Sequence, residues 1–223
     1  MADQLAFDWP TGVALGPDDF FVSQANAQAF AMLSAPDTWP EGKLVVTGSS
    51  GAGKSHLARI FRTQSDALLL NAIDIPADYR TEALSIIIED MEHLPRACEE
   101  AVFHLHNNLR ASGGFLLMTS ELPPVRWSIA LPDLASRMQA ATVVEIANPD
   151  DALLSALIMK LFADRQISPK PALVQYLSTR IERSYAAAAD IVAQLDSAAL
   201  DQGRKINKAL AADLMDKHDC PRN

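Results

Sequence analysis

Short runs of apolar residues recur through the first two thirds of the chain. The runs are LVVTG, ALLL, LSIIIED, FLLMTS and TVVEI, at 44–48, 67–70, 84–90, 115–120 and 142–146. They are continuous, and helical patterns accompany them at 25–33, 54–62 and 96–111. Continuous apolar strands between helices are typical of a parallel sheet covered on both faces. The pattern therefore predicts an α/β fold with a five-stranded parallel sheet.

The pattern changes after residue 148. The segment DALLSALIMKLFADR has apolar residues at 153, 154, 157, 158, 161 and 162, which is the spacing of an amphipathic helix. Similar spacing recurs at 172–181, 187–200 and 206–215. A small all-helical module is therefore expected after the sheet.

A stretch rich in helix breakers precedes the first helical pattern. It contains Pro10, Gly12, Gly16 and Pro17, and it separates the first residues from the body of the chain. We therefore expect three parts, which are a tail with its linker (1–17), a sheet domain (18–148) and a helical module (149–223).

Composition and charge narrow the classes of function. The formal net charge is -9, so attraction to DNA phosphates should be weak, and a role with nucleic acid is expected only through a partner. Cys98 and Cys220 are too few for a disulfide framework and fit a reducing compartment. The start lacks the pattern of a signal peptide, and no apolar run approaches the ~20 residues that span a bilayer. We expect a soluble, cytoplasmic protein.

The motif with the most specific chemistry follows the first predicted strand and opens a helix. It matches G-x-x-x-x-G-K-[ST], and it consists of Gly48, Ser49, Ser50, Gly51, Ala52, Gly53, Lys54 and Ser55. Glycines let backbone N–H groups turn around a phosphate, and the helix N-terminus adds its dipole. Lys54 can reach the β- and γ-phosphate oxygens, and Ser55 can hold Mg²⁺. The motif predicts a nucleotide-binding P-loop.

A second acidic element ends the strand IIIED. Glu89 and Asp90 follow three isoleucines, and Glu89 lies 35 residues after Lys54. A carboxylate at such a strand end can hold Mg²⁺, and a second can lie near an attacking water molecule. Two solvated acids at a strand end are the simpler alternative.

Together GSSGAGKSHL, IIIEDME, LLMTSELPP and LPDLASRM resemble the DnaA and Hda family of AAA+ proteins, and LPDLASR is the most specific match to the Hda branch. The resemblance begins at FFVSQANAQA (20–29) and covers nearly the whole chain. It implies a five-stranded AAA+ core with a helical lid. It also implies ADP or ATP with Mg²⁺ at their junction, contacted by His56, Phe21 and Val22.

The resemblance also implies catalytic roles. Arg137 falls at the family's arginine finger, which reaches the nucleotide of a neighbouring protomer, and Glu121 falls at the sensor 1 position, where Asp is usual. A permanently charged, planar guanidinium suits the charge that grows on transferring phosphoryl oxygens. Without the family, Arg137 would be interpreted as a surface arginine on a short helix.

The sequence departs from the family pattern at three positions. Glu89 stands where Asp usually holds the metal, and Asp90 stands where most AAA+ proteins have Glu, although DnaA-like proteins also carry Asp. In an ungapped alignment Ala186 takes the place of the sensor 2 arginine, with Arg183 one turn earlier. We therefore expect slow intrinsic hydrolysis and poor discrimination between ATP and ADP.

The first residues carry alternating apolar side chains. Gln4, Leu5, Phe7 and Trp9 resemble the short Q-L-x-Φ-x-Φ peptide that inserts into the replicative sliding clamp, and the Hda branch carries its version at the same end. A leading amide with alternating apolar anchors suits an extended peptide in a groove. The alternative is that Phe7 and Trp9 fold back onto the protein or form an edge strand.

Three functions are compatible with these residues. The first is a regulator that binds the DNA polymerase III sliding clamp and uses Arg137 to trigger hydrolysis of ATP bound to DnaA. The second is a self-assembling ATPase that acts as a loader or remodeller, and the third is an adaptor that uses nucleotide only for stability. The chain stops at Asn223, a few residues after the last helical pattern, without the DNA-binding domain that follows the lid in DnaA, so we expect no initiator-like reading of an origin.

Overall fold

The computed structural model describes residues 20–218. The predicted clamp-binding residues Gln4, Leu5, Phe7 and Trp9, and the linker to 17, lie outside the described residues. Five strands form one sheet, namely β1 (Lys43–Thr47), β2 (Leu68–Asn71), β3 (Ser85–Glu89), β4 (Phe115–Ser120) and β5 (Thr142–Glu145). All neighbouring strands are parallel, in the order β2-β3-β4-β1-β5. The predicted five-stranded parallel sheet is confirmed.

Helices lie between and after the strands. They are α1 (Ala27–Leu33), α2 (Lys54–Ser65), α3 (Glu99–Ser112), α4 (Pro132–Ala140), α5 (Asp151–Ala163), α6 (Pro171–Ser178), α7 (Tyr185–Gln202) and α8 (Lys208–His218). Helix α3 begins at Glu99 and not at the predicted 96. A 3-10 turn occupies Arg96–Cys98 because the chain is still extended at Pro95, whose ψ is 139°.

The sheet is buried on both faces. On one face Leu44 and Val46 of β1 pack in a cluster with Leu57 and Phe61 of α2. On the other face Val45 packs in a cluster with side chains of α3 and α4, including Val102, Leu105, Leu134 and Met138. Successive strand residues point to opposite faces, so a strand covered on both sides must be apolar throughout.

The helices after the sheet form a core of their own. Leu154, Phe162, Leu177 and Leu195 are fully buried or nearly so in this cluster. Leu157 of α5 packs against both this cluster and the cluster of the sheet, so α5 joins the two parts. No helix among the described residues is long and apolar enough to cross a membrane.

Candidate functional site

The loop between β1 and α2 has the backbone of a phosphate-binding turn. Gly51 and Gly53 have φ of 76° and 95°, a region that favours glycine. The helix begins directly after them at Lys54, so its N-terminal N–H groups border the loop. Lys54 is 8% exposed, and its Nζ donates hydrogen bonds to the carbonyl oxygens of Gly48 (2.8 Å) and Ser49 (3.1 Å). The lysine ammonium is thus held over the loop.

A cavity of about 490 Å³ lies between this loop and α5. Its lining includes the predicted contacts Phe21, Gly51, Ala52, Gly53 and His56, whereas Val22 does not line it. The opposite wall consists of side chains of α5, among them Leu157 and Leu161. An apolar wall facing a glycine loop suits a flat base attached to phosphates.

The segment before α1 holds one wall of this cavity in place. The ring of Phe20 stacks on Phe30 at 5.8 Å between centroids and meets the ring of His56 edge-on at 5.2 Å. Asn26 is 3% exposed, and its Nδ2 donates to the carbonyl oxygen of Phe21 at 2.9 Å. The aromatic wall is therefore fixed by packing and by a buried amide.

The acidic residues lie at the carboxyl ends of the strands, as the P-loop does. Glu89 ends β3, and its Oε1 is buried without a hydrogen-bond partner among the described residues. A buried carboxylate oxygen with no donor is suited to a cation, so the site fits Mg²⁺. Ser55, an exposed residue in the first turn of α2, is the second predicted ligand.

Asp90 is fixed by its neighbours on two strands. It adopts the left-handed conformation, with φ of 58°. Its Oδ2 accepts a hydrogen bond from Nδ2 of Asn71 at 3.1 Å, and its N–H donates to Oγ1 of Thr119 at 3.4 Å. The carboxylate is thus oriented by the amide of the last residue of β2, which suits a group that positions a water molecule.

Glu121 lies one residue beyond β4 and has an exposed side chain. Its backbone N–H donates to Oε1 of Glu92 at 2.6 Å, while Oε2 of Glu92 is buried without a partner among the described residues. The loops after β3 and β4 are therefore joined by Glu92, next to the predicted sensor position.

Arg137 lies near the opposite end of the strands, where the strands begin. It stands near the end of α4, and its guanidinium carbon is 5.4 Å from the ring centroid of Phe103. It lines a second cavity together with Lys43, the first residue of β1, whereas the P-loop follows Thr47, the last residue of that strand. The length of β1, about 13 Å, therefore separates the second cavity from the P-loop. Arg137 and the P-loop of the same chain therefore face away from each other.

The start of α7 contacts the P-loop. A Cβ atom at Gly51 would lie 3.2 Å from Cβ of Tyr185, so the tyrosine packs directly on the loop. Ala186 is exposed in the first turn, and the guanidinium of Arg183 pairs with Oδ1 of the exposed Asp151 at 2.8 Å. The lid residue against the loop is thus a tyrosine.

Sequence reasoning missed several of these residues. Asn71 and Tyr185 belong to no recognised motif, and Glu92 lies in IIIEDME but has no predicted role there. Asn71 contacts a residue 19 positions away, and Glu92 one 29 positions away. Such contacts depend on strand order, which no local pattern specifies.

No model of a known protein family matches the chain. Its fold resembles domain III of the replication initiation protein DnaA from Thermotoga maritima, with a TM-score of 0.72 and 18% identity over 91% of this chain and 95% of that one. The chain therefore has the fold of that domain. AMPPCP-bound DnaA from Aquifex aeolicus has a TM-score of 0.65 and 17% identity, over 86% of this chain.

A second group of similar structures carries the same core. RuvB from Thermotoga maritima, a Holliday junction branch migration motor, has a TM-score of 0.64 and 14% identity over 91% of this chain and 72% of that one. The chain spans 66% of the length of the Aquifex aeolicus DnaA chain. At these identities the likeness is one of fold.

Proposed function

We propose that this protein binds ADP or ATP with Mg²⁺ between its P-loop and the helical lid. The phosphates lie on the N–H groups of 48–55, Lys54 and Ser55 contact them and the metal, and Glu89 completes the metal site. Asp90 and Glu121 act near the γ-phosphate, and the base lies between Phe21, His56 and α5. The glycine loop, the cavity beside it and the unpaired oxygen of Glu89 support this assignment. AMPPCP, a nucleotide, is bound in the similar DnaA structure.

We propose further that Arg137 acts on a nucleotide held by another protein, and that this nucleotide is ATP bound to DnaA. The observation that carries the proposal is the separation of Arg137 from the P-loop of its own chain by the length of β1. A guanidinium in that position lies too far from its own P-loop to contact a nucleotide there, and it is placed to reach the active site of a partner. An arginine finger supplied in trans is worth roughly 10³ to 10⁵ in rate.

The assay measures turnover of DnaA-bound ATP in the presence of DNA-loaded sliding clamp. Wild-type protein should accelerate turnover, and Arg137→Ala should lose nearly all of that acceleration. Arg126→Ala, an exposed arginine in the turn before α4, is the matched control and should behave as wild type. No acceleration by wild-type protein, or equal acceleration by Arg137→Ala, would sink the proposal.

The sliding clamp is the proposed route to DNA. The acidic chain has a net charge of -9, so it needs a partner to remain near DNA phosphates. Gln4, Leu5, Phe7 and Trp9 form the proposed clamp peptide, each apolar anchor contributing about 1.5–3 kcal/mol when fully buried. A peptide of residues 1–12 should bind the clamp with micromolar affinity, and deletion of those residues should abolish binding. Clamp binding that survives the deletion would reject this part.

A self-assembling ATPase is the second candidate, favoured by the likeness to the RuvB motor. It can be tested by mixing Lys54→Ala, which keeps Arg137, with Arg137→Ala, which keeps the P-loop. In a self-assembly the two variants complement each other, and the mixture hydrolyses ATP faster than either alone. The regulatory proposal expects no such gain and no ring or filament on sizing.

A further inference from the structure

A second cavity, of about 540 Å³, lies at the edge of the sheet where the strands begin. Its walls come from the start of β1, from α3 and from α4. The charged and titratable residues that line it are Glu41, Lys43, His106, Arg110, Asp133 and Arg137. It is separated from the P-loop by the length of β1, so a ligand here would not be the nucleotide in this chain's own site.

Lys43 has unused donors on the wall of this cavity. It is 2% exposed, and its Nζ donates to the carbonyl oxygen of Glu41 at 2.9 Å. Among the described residues this carbonyl is the one hydrogen-bond acceptor of the ammonium group, which has three N–H donors. Burial lowers the pKa of Lys43 to about 8, although the Glu41 carboxylate opposes the shift. A buried ammonium with spare donors calls for an anion.

His106 of α3 presents a second unmet polar atom. It is 2% exposed, and its Nδ1 is buried without a hydrogen-bond partner among the described residues. Burial, and after it the charges of Lys43 and Arg137, lower the pKa of His106 to about 4. The ring is therefore neutral near pH 7, and in the tautomer with hydrogen on Nδ1 it donates to an acceptor.

The rim of the cavity is also cationic. Arg110 forms an ion pair of 2.9 Å with Glu41, and both side chains are half exposed. Arg137 lies over Phe103 at the other side. Three permanent or near-permanent cations, Lys43, Arg110 and Arg137, thus face two carboxylates, those of Glu41 and Asp133, in a chain whose net charge is -9. The local excess of positive charge favours a bound anion.

We propose that this cavity binds an oxyanion, a phosphate or carboxylate group, through Lys43 and His106, with Arg110 and Arg137 at its rim. The proposal does not rest on nucleotide binding or on action upon DnaA. The oxyanion belongs either to a free phosphorylated molecule or to an acidic side chain of another protein chain.

Thermal unfolding with inorganic pyrophosphate tests the site, with potassium chloride at matched ionic strength as reference. The Lys54→Ala background weakens the P-loop site by removing its lysine, and the part of the remaining rise in midpoint that depends on Lys43 reports the second cavity. Adding Lys43→Met should weaken the apparent binding of pyrophosphate at least about tenfold, because charge-assisted hydrogen bonds are lost. Lys205→Met, an exposed lysine, is the matched control and should leave the rise intact. A rise that vanishes with Lys54→Ala alone, or survives Lys43→Met, overturns the proposal for free anions.

Imidazole NMR of the wild-type chain gives a readout without substitution. His56 lines the nucleotide cavity and His106 lines the second cavity, so each site has its own reporter. Pyrophosphate should move the His106 resonances and raise the pKa of that ring, since a bound anion favours the imidazolium. Movement of His56 alone, with His106 unchanged at saturation, contradicts an anion at the second cavity.

The source of the oxyanion is separated by sizing. If it is a carboxylate of another copy or of a partner chain, wild-type protein should form a complex that pyrophosphate dissociates and that Lys43→Met fails to form. If it is a free phosphorylated molecule, pyrophosphate should bind more tightly than acetate and no complex should depend on Lys43. If pyrophosphate does not bind and no complex depends on Lys43, the proposed site does not exist.

Discussion

The hydroxyl group of Tyr185 is buried beside the P-loop without a hydrogen-bond partner among the described residues. Burial, and then the nearby carboxylate of Asp150, raise the pKa of Tyr185 to about 12, so the group stays neutral. A buried polar group without a partner costs stability. Packing Tyr185 at the junction of the P-loop and the lid therefore leaves its hydroxyl without a hydrogen bond among the described residues.

Removing only that hydroxyl should stabilise the protein. Tyr185→Phe keeps the ring and is expected to raise the free energy of unfolding by about 1 kcal/mol, measured by urea denaturation without nucleotide. Tyr176→Phe, a partly exposed tyrosine of α6, is the control and should give no such gain. A loss of stability in Tyr185→Phe would show that the hydroxyl has a partner.

The buried His106 should make the protein sensitive to mild acid. Its folded pKa of about 4 lies below the ordinary 6.5, so between these values the unfolded chain binds more protons. Stability therefore falls as pH drops from 6.5 towards 4, by up to about 3 kcal/mol. The charges facing the ring are those of Lys43, Arg137 and Glu41.

His106→Leu tests this dependence. The loss of unfolding free energy between pH 7.5 and pH 4.5, in chloride buffer without phosphate, should be smaller in the variant than in wild type. His104→Leu, an exposed histidine of the same helix, should retain the full loss. Equal losses in wild type and His106→Leu would mean that the ring is not kept neutral by its surroundings.

At the scale of elements, Glu99 fixes the approach to the helix that carries Arg137. The side chain is 3% exposed at the start of α3. Its Oε1 and Oε2 accept hydrogen bonds from the N–H of Ala130 at 2.9 and 3.1 Å, and Oε2 accepts from the N–H of Leu131 at 2.6 Å. A buried carboxylate thus anchors the chain directly before α4.

Glu99→Ala should leave these backbone donors unpaired. We expect a loss of about 3 kcal/mol in the free energy of unfolding, since hydrogen bonds to a charged group are among the stronger ones. The proposed stimulation of DnaA-bound ATP turnover should fall as well, because α4, which carries Arg137, loses its anchor. Glu100→Ala, the exposed neighbour, should change neither. A variant at Glu99 with unchanged urea midpoint would contradict the anchoring role.

The strands and the P-loop could be predicted from the sequence, because both depend on local order along the chain. Five apolar runs became five strands, and GSSGAGKS lies between a strand and a helix as its spacing required. Glu99 and Tyr185 could not be predicted, because their contacts lie 31 or 32 residues away or across the lid junction. The second cavity was also missed, since Lys43 and His106 are unremarkable until α3 packs beside β1.

At the scale of the whole molecule, the P-loop and Arg137 occupy separate surfaces. Under the proposed action on DnaA, substituting Arg137 should leave docking intact while removing the stimulation. Arg137→Ala protein added to wild type at equal concentration, with the total saturating DnaA, should reduce stimulation to about half by mass action. DnaA-bound ATP turnover is the readout. Undiminished stimulation would mean that the variant does not dock.

The placement of these two surfaces at opposite ends of β1 also limits symmetry. A two-fold dimer joins one patch to the same patch of its partner. With Arg137 and the P-loop at opposite ends of β1, such a dimer cannot place the Arg137 surface of one chain against the P-loop surface of the other. Only a head-to-tail contact brings these two surfaces together. Every head-to-tail pair leaves one Arg137 surface and one P-loop surface uncovered. A single chain therefore has direction, and a row of similar subunits joined head to tail keeps one uncovered surface of each kind, however many subunits it contains.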